Sequence, residues 1–192
     1  MSKDKLTEYR SKRDTAASGE PAGRRGKKDG GDLFVVQRHD ASTLHFDFRL
    51  EVGGVLVSWS VPKGPSLDPR DKRLAVRTED HPVDYAGFEG RIGEGYGKGT
   101  VVVWDTGTYR NLTGVSSDEP VAMAKAVEDG HLTVWLDGEK LSGAFSLTRT
   151  GTGRQEKWIL VKKDDDGADR RAKPARTKPE SVLSGHVNED FE

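Results

Sequence analysis

His39, His45 and Asp47 form the pattern H-x5-H-x-D, and Arg49 follows two residues after the aspartate. Alternate side chains of a β-strand share a face, about 7 Å apart. The stretch 44–52, LHFDFRLEV, therefore puts His45, Asp47, Arg49 and Glu51 on one face and Phe46, Phe48 and Leu50 on the other. Two imidazoles and a carboxylate suit a divalent transition metal, and three protein donors leave positions for water and a substrate. The segment HDAST ahead of the strand can turn the chain so that His39 reaches the same point from a neighbouring strand. A lone His-x-Asp is more often a plain hydrogen-bonded polar cluster. What argues for chemistry is Arg49 on the same face, a guanidinium suited to holding a phosphate or carboxylate bidentately.

Further polar residues lie in loops. VPKGPSLDPRDKR (61–73) offers Lys63 and Arg73, and EDHPVDY (79–85) offers His81 before a proline and Tyr85 four positions on. Alone, each reads as a surface charge or a ring at a core edge. Together they supply cations for an anion and a histidine that can act on a leaving oxygen. The chemistry this set suits best is metal-assisted attack on a phosphoester.

The elements that must position these residues are mostly strands. Runs at 33–37, 43–52, 55–62, 73–78, 99–105, 131–138, 143–150 and 157–163 are rich in Val, Phe, Trp and Thr and bounded by Gly, Pro or Asp. Gly53-Gly54 between two of them signals a hairpin. One segment, Ser116 to Gly130, reads as a helix, with SSDE as a capping box, Pro120 in the first turn, and Met123 and Val127 on one face. Many strands with one helix argue for an antiparallel barrel or sandwich, a mainly β fold.

Composition narrows the class further. The 192 residues suffice for one domain with two flanking arms. No apolar run approaches the roughly 18 residues of a membrane span, so no membrane is expected as a partner. MSKDKLTEYR has no apolar core of a secretory signal, and the chain has no cysteine, which predicts a cytoplasmic protein without disulfides. Residues 1–30 carry nine Lys/Arg against five Asp/Glu and residues 162–178 seven against four, which leaves the rest net acidic. Basic termini suit a polyanion, though Pro- and Gly-rich charged tails are commonly just flexible and solvated. The division expected is an arm over 1–30, a barrel over 31–163 and a flexible tail over 164–192.

Longer blocks carry a resemblance. FVVQRHDASTLHFDFRLE, SWSVPKGPSLDP, RLAVRTEDHPVDYAGFEG, GTVVVWDTGTY and SVLSG, preceded by EYRSKRD and GEPAG, occur in that order from about residue 7 to 185. The chain resembles the 3′-phosphoesterase domain of bacterial DNA ligase D, the nick-sealing protein of bacterial non-homologous end joining, and its free-standing relatives. One departure is in RIGEGYGKGT (91–100), where Gly93 takes a proline position and the loop is a residue shorter.

The resemblance implies a compact antiparallel β-barrel using Mn2+. It would remove a 3′-terminal ribonucleoside and then the 3′-phosphate from a primer–template duplex, leaving a 3′-hydroxyl. Carried over position by position, it makes His39, His45 and Asp47 the metal ligands. His81 and Arg49 fall on the scissile phosphate, Lys63, Arg73 and Tyr85 around it, and Gln37 behind the site. It also marks Arg13, Asp14 and Glu20 as needed for activity, so that the arm from Leu6 to Gly23 would cover the site. Whether His81 protonates the leaving oxygen or binds the phosphate stays open. Partners implied are the ligase and polymerase modules of end joining, and a monomer is expected. No adenylation-lysine or polymerase motif is present, so the chain is expected to work beside a ligase or as the N-terminal module of one. The alternative is a non-catalytic nucleic-acid-binding barrel.

Overall fold

The alternation that separates Asp47 and Arg49 from Phe46 and Phe48 also builds the wall of a closed barrel. The computed structural model describes residues 4–23 and 31–192. Its strands are β1 (Leu33–Asp40), β2 (Leu44–Val52), β3 (Val55–Val61), β4 (Arg73–Arg77), β5 (Gly90–Ile92), β6 (Gly99–Asn111), β7 (His131–Asp137), β8 (Ser142–Gly151) and β9 (Lys157–Lys162). Pairing runs β1-β2-β3-β4-β9-β8-β7-β6 and closes through β6 onto β1, all antiparallel, with β5 added along β6. The expected mainly β barrel is present. β5, at three residues, is too short to show as a pattern in the sequence.

Inward-facing Phe34, Val36, Phe46, Phe48, Leu50, Trp59 and Trp158 fill the barrel. Trp59 meets Trp158 edge-on with ring centroids 5.4 Å apart. Gly53 and Gly54 both take positive φ, 59° and 84°, as the two-residue turn between β2 and β3 requires. That turn fixes the pairing of Asp47 with Ser60 and Arg49 with Ser58.

Helices differ from expectation. The single expected helix is instead a 3-10 turn at Val115–Ser117 and a helix only over Met123–Asp129. SSDE is not a capping box, because Asp118 takes a left-handed φ of 57° and the residue before Pro120 is disfavoured in the helical region. Met123 and Val127 do pack together on the core, and Gly130 ends the helix in the left-handed conformation. The other helices, at Thr7–Ser11, Thr15–Ser18 and Pro174–Thr177, are four or five residues long. Numbered in chain order, the four are α1 (Thr7–Ser11), α2 (Thr15–Ser18), α3 (Met123–Asp129) and α4 (Pro174–Thr177). None among the described residues is long and apolar enough to cross a membrane.

Of the expected arm, residues 4–23 lie against the barrel, with Leu6 and Tyr9 fully buried. The basic run 24–30 falls outside the described residues. The segment 164–192, expected as a flexible tail, is strapped onto the barrel instead. Buried Asn188 donates to the carbonyls of Arg38 (3.1 Å) and Thr100 (2.9 Å) and accepts from the Arg38 guanidinium at 2.6 Å. Trp104 Nε1 donates to the Lys178 carbonyl at 2.6 Å. Its charged, proline-containing composition hid these few anchoring residues.

One buried carboxylate organises the far end of the barrel. Asp105 accepts from the amides of Thr106, Glu139, Lys140 and Leu141 at 2.8 to 3.2 Å. Asp105→Ala strands these donors, and stability is expected to fall by about 3 kcal/mol or more, read from the midpoint of a urea titration.

Candidate metal centre and active site

The outer faces of β1 and β2 converge at their paired ends. His39 and His45 are cross-strand partners, and Asp47 pairs with Gln37 one alternation further along. Asp47 Oδ2 lies 3.5 Å from His39 Nδ1, and its Oδ1 lies 3.4 Å from His45 Nε2. One donor atom from each residue falls within 4.8 Å of the others, a group that could hold a divalent metal.

The remaining ring nitrogens settle the tautomers. His39 Nε2 is 2.6 Å from the Gly97 carbonyl and His45 Nδ1 is 3.0 Å from the Thr43 carbonyl. A carbonyl only accepts, so each of these nitrogens carries a proton, which leaves His39 Nδ1 and His45 Nε2 as the ring atoms that face Asp47 and are placed to serve a metal. Burial works against a charged carboxylate at Asp47, but Arg49 and the two histidines hold its pKa well below the usual carboxylate range. Burial likewise lowers the His45 pKa, and the Asp47 hydrogen bond and charge outweigh it, so the net shift is upward. Mixed imidazole and carboxylate donors, preoriented by these contacts, fit a transition-metal dication.

Arg49 sits next along the same face, buried, with Nε donating to Gln37 Oε1 (2.8 Å), one terminal nitrogen to Ser58 Oγ (2.9 Å) and the other 3.4 Å from Asp47. Gln37 is anchored in turn by donating to the carbonyls of Tyr85 and Phe88. His81 is bridged to β3 through paired backbone bonds with Leu56. Its Nδ1 donates to the Glu79 carbonyl at 2.9 Å, and Nε2 accepts from Arg13 at 3.1 Å. Burial, then Arg49 and Arg13, push the His81 pKa well below the ordinary histidine value, so the ring is neutral.

The arm closes the site from above. Arg13, its side chain 5% exposed, binds Glu20 at 2.9 Å and Glu79 at 2.8 Å, and Tyr85 donates from its hydroxyl to Glu20 Oε2 at 2.7 Å. Arg13, Glu20, His39, His45, Asp47, Arg49, His81 and Tyr85 all line one cavity of about 410 Å3. Gln37 stands behind Arg49 and not on the wall.

Three expected residues lie elsewhere. Asp14 caps the N-terminus of α2 and lines a smaller cavity of about 200 Å3 beside the first. Lys63 is exposed in the turn after β3. Arg73 alternates with Ala75, whose side chain is in the core, and it pairs with Asp71 at 3.4 Å, whereas Val76 faces the cavity. Sequence reasoning missed Glu79, Ser58 and Tyr96. Glu79 carried a usable signal, since a carboxylate two residues before His81 in extended chain points the same way.

Fold and site together define a β-barrel with a candidate divalent-metal centre on its outer wall, flanked by a buried arginine and a neutral histidine. The profile of the DNA Ligase D 3′-phosphoesterase domain matches residues 37–149, and the chain belongs to that family. It is 51% identical to the multifunctional non-homologous end joining protein LigD of Pseudomonas aeruginosa over 93% of its length, and 38% identical to that of Mycolicibacterium smegmatis over 96%. Against the corresponding DNA repair protein of Mycobacterium tuberculosis the identity is 44% over 79%. The chain spans only 21%, 23% and 19% of these relatives' lengths.

Proposed function

We propose that the chain is a metal-dependent phosphoesterase that heals 3′ ends of primer–template nucleic acid. It would remove a terminal ribonucleoside and then the 3′-phosphate, leaving a 3′-hydroxyl for the polymerase and ligase modules of non-homologous end joining. The observation that carries this reading is the meeting of His39, His45 and Asp47 with Arg49 and His81 in one cavity. The metal would be held by His39 Nδ1, His45 Nε2 and Asp47, and Mn2+ suits that donor set. When bound, a dication polarises a phosphate oxygen and lowers the pKa of a water.

The chain's own residues do the rest. Arg49, fixed by Gln37 and Ser58, offers its remaining N–H groups to the phosphate and to the charge that builds on it in the transition state. His81 as found accepts at Nε2, and both roles open to it, proton donor and phosphate ligand, need a proton there. A phosphate dianion entering between Arg49 and His81 counters the cations that depress the ring and favours the imidazolium. Lys63 and Arg73, which the resemblance places around the phosphate, lie off the cavity wall in this structure.

The test is a 5′-labelled primer on a longer template, ending in one ribonucleotide, incubated with protein and manganese. The expected result is stepwise conversion to the 3′-phosphate and then the 3′-hydroxyl product, abolished by EDTA. Primer binding without product, with any divalent metal, would overturn the reading in favour of a nucleic-acid-binding barrel.

A further inference from the structure

Tyr96 stands apart from the other exposed apolar side chains of the described residues. The residue is 48% exposed, and among Leu44, Leu74, Tyr96, Val115 and Leu183 it alone lines the cavity holding the candidate metal centre. It lines the smaller neighbouring cavity as well, so the ring forms part of the wall between the two. The loop that carries it is rich in glycine, with Gly95 and Gly97 at positive φ on either side, and presents the ring without bulky neighbours in sequence. Two cations lie over the ring, Lys12 at 5.0 Å and Arg13 at 5.4 Å from its centroid.

A half-exposed aromatic beside a phosphate site has a physical use. Every nucleobase has a flat π face, and stacking on an aromatic ring is tolerant of sequence. Arg13, ion-paired to Glu20 and Glu79, lines the same cavity beside Tyr96. On the phosphoesterase reading, the group next to the scissile phosphate there is the terminal nucleoside. Glu20, which lines both cavities, keeps a buried Oε1 that has no hydrogen-bond partner among the described residues. A sugar hydroxyl is a donor of the kind such an oxygen takes.

We infer that Tyr96 is the stacking platform for the base of the 3′-terminal nucleotide and so sets how well base-bearing ends are processed. This rests on the phosphoesterase reading and adds a residue to it. Tyr96 also neighbours Gly97, whose carbonyl holds His39, so the test must separate stacking from disturbance of the metal centre.

The experiment compares Tyr96→Ala, Tyr96→Phe and Tyr96→Trp on three manganese-treated primer ends: a ribonucleotide, the same ribose without its base, and a 3′-phosphate as reference. Stacking predicts that the preference for the base-bearing over the base-less end, each rate normalised to the reference, falls roughly 10-fold in Tyr96→Ala. Tyr96→Phe and Tyr96→Trp should keep that preference. Equal losses on all three ends would overturn the inference and make Tyr96 a support for the His39 loop. An unchanged preference in Tyr96→Ala would overturn it too. Absence of product from the unsubstituted protein would overturn the phosphoesterase reading itself, and that is seen before any variant is compared.

Discussion

Asp47→Asn is expected to abolish hydrolysis at both a 3′-ribonucleotide and a 3′-phosphate end. Metal assistance supplies several kcal/mol of transition-state stabilisation, and at about 1.4 kcal/mol per tenfold the loss is about 10^3-fold or more. The same carboxylate lies against both histidines and 3.4 Å from buried Arg49, so its charge holds the donor set together from two sides. Asparagine keeps the shape but leaves a buried guanidinium without its anion, and a lower melting temperature is expected as well. Binding separates the two effects. Manganese should raise the melting temperature of the unaltered protein, because it binds only the folded state, and leave that of the variant unmoved. A variant that hydrolyses a 3′-phosphate end at the normal rate would remove Asp47 from the metal centre.

Arg13→Ala should release the arm from the barrel. The guanidinium satisfies Glu20 and Glu79, whose side chains are each 1% exposed, and breaking such a buried pair costs about 3–5 kcal/mol. Amides of α1 and α2 are expected to lose protection in hydrogen–deuterium exchange while those of β1 and β2 keep it, and activity on the ribonucleotide end should fall. Exchange and activity both unchanged would show that the arm is held without this residue. Acid should mimic the substitution. Burial opposes ionisation of Glu79, yet Arg13 and Lys12 bring its pKa below the ordinary 4.5. A carboxylate with a lower pKa folded than unfolded adds stability that is complete above the unfolded value and drains as pH falls through the folded one. Protection of α1 and α2 is therefore expected to be full above about pH 4.5 and to decline progressively below it as the folded carboxylate takes up its proton.

The barrel and the triad were both legible because they rest on period two. All eight strands expected from the sequence form, and the H-x-D spacing put His45 and Asp47 on one face before any pairing was known. Residues placed by long-range contact were harder to read. Nothing local shows that Arg13 reaches His81 across 68 positions, or that Asn188 straps a segment rich in charged residues to β1. Resemblance supplied Arg13 and Glu20, which the cavity brings to the site, and also Lys63 and Arg73, which it does not. The helix boundary failed for a local reason, since Pro120 and the left-handed Asp118 delay the start to Met123.

The candidate site of this protein occupies the outside of its barrel, on the same strands whose inward residues make the core. Phe46, Phe48 and Leu50 interleave with His45, Asp47 and Arg49, so each strand is shared between two selections that meet only through the backbone. The interior can drift in volume and packing without touching a donor atom, and the outer wall can exchange side chains without opening a void. A single residue gained or lost within β2 would invert that allocation along the strand, turning charges inward and rings outward. Substitution is thus a gentle route of change for this strand, and insertion a closed one.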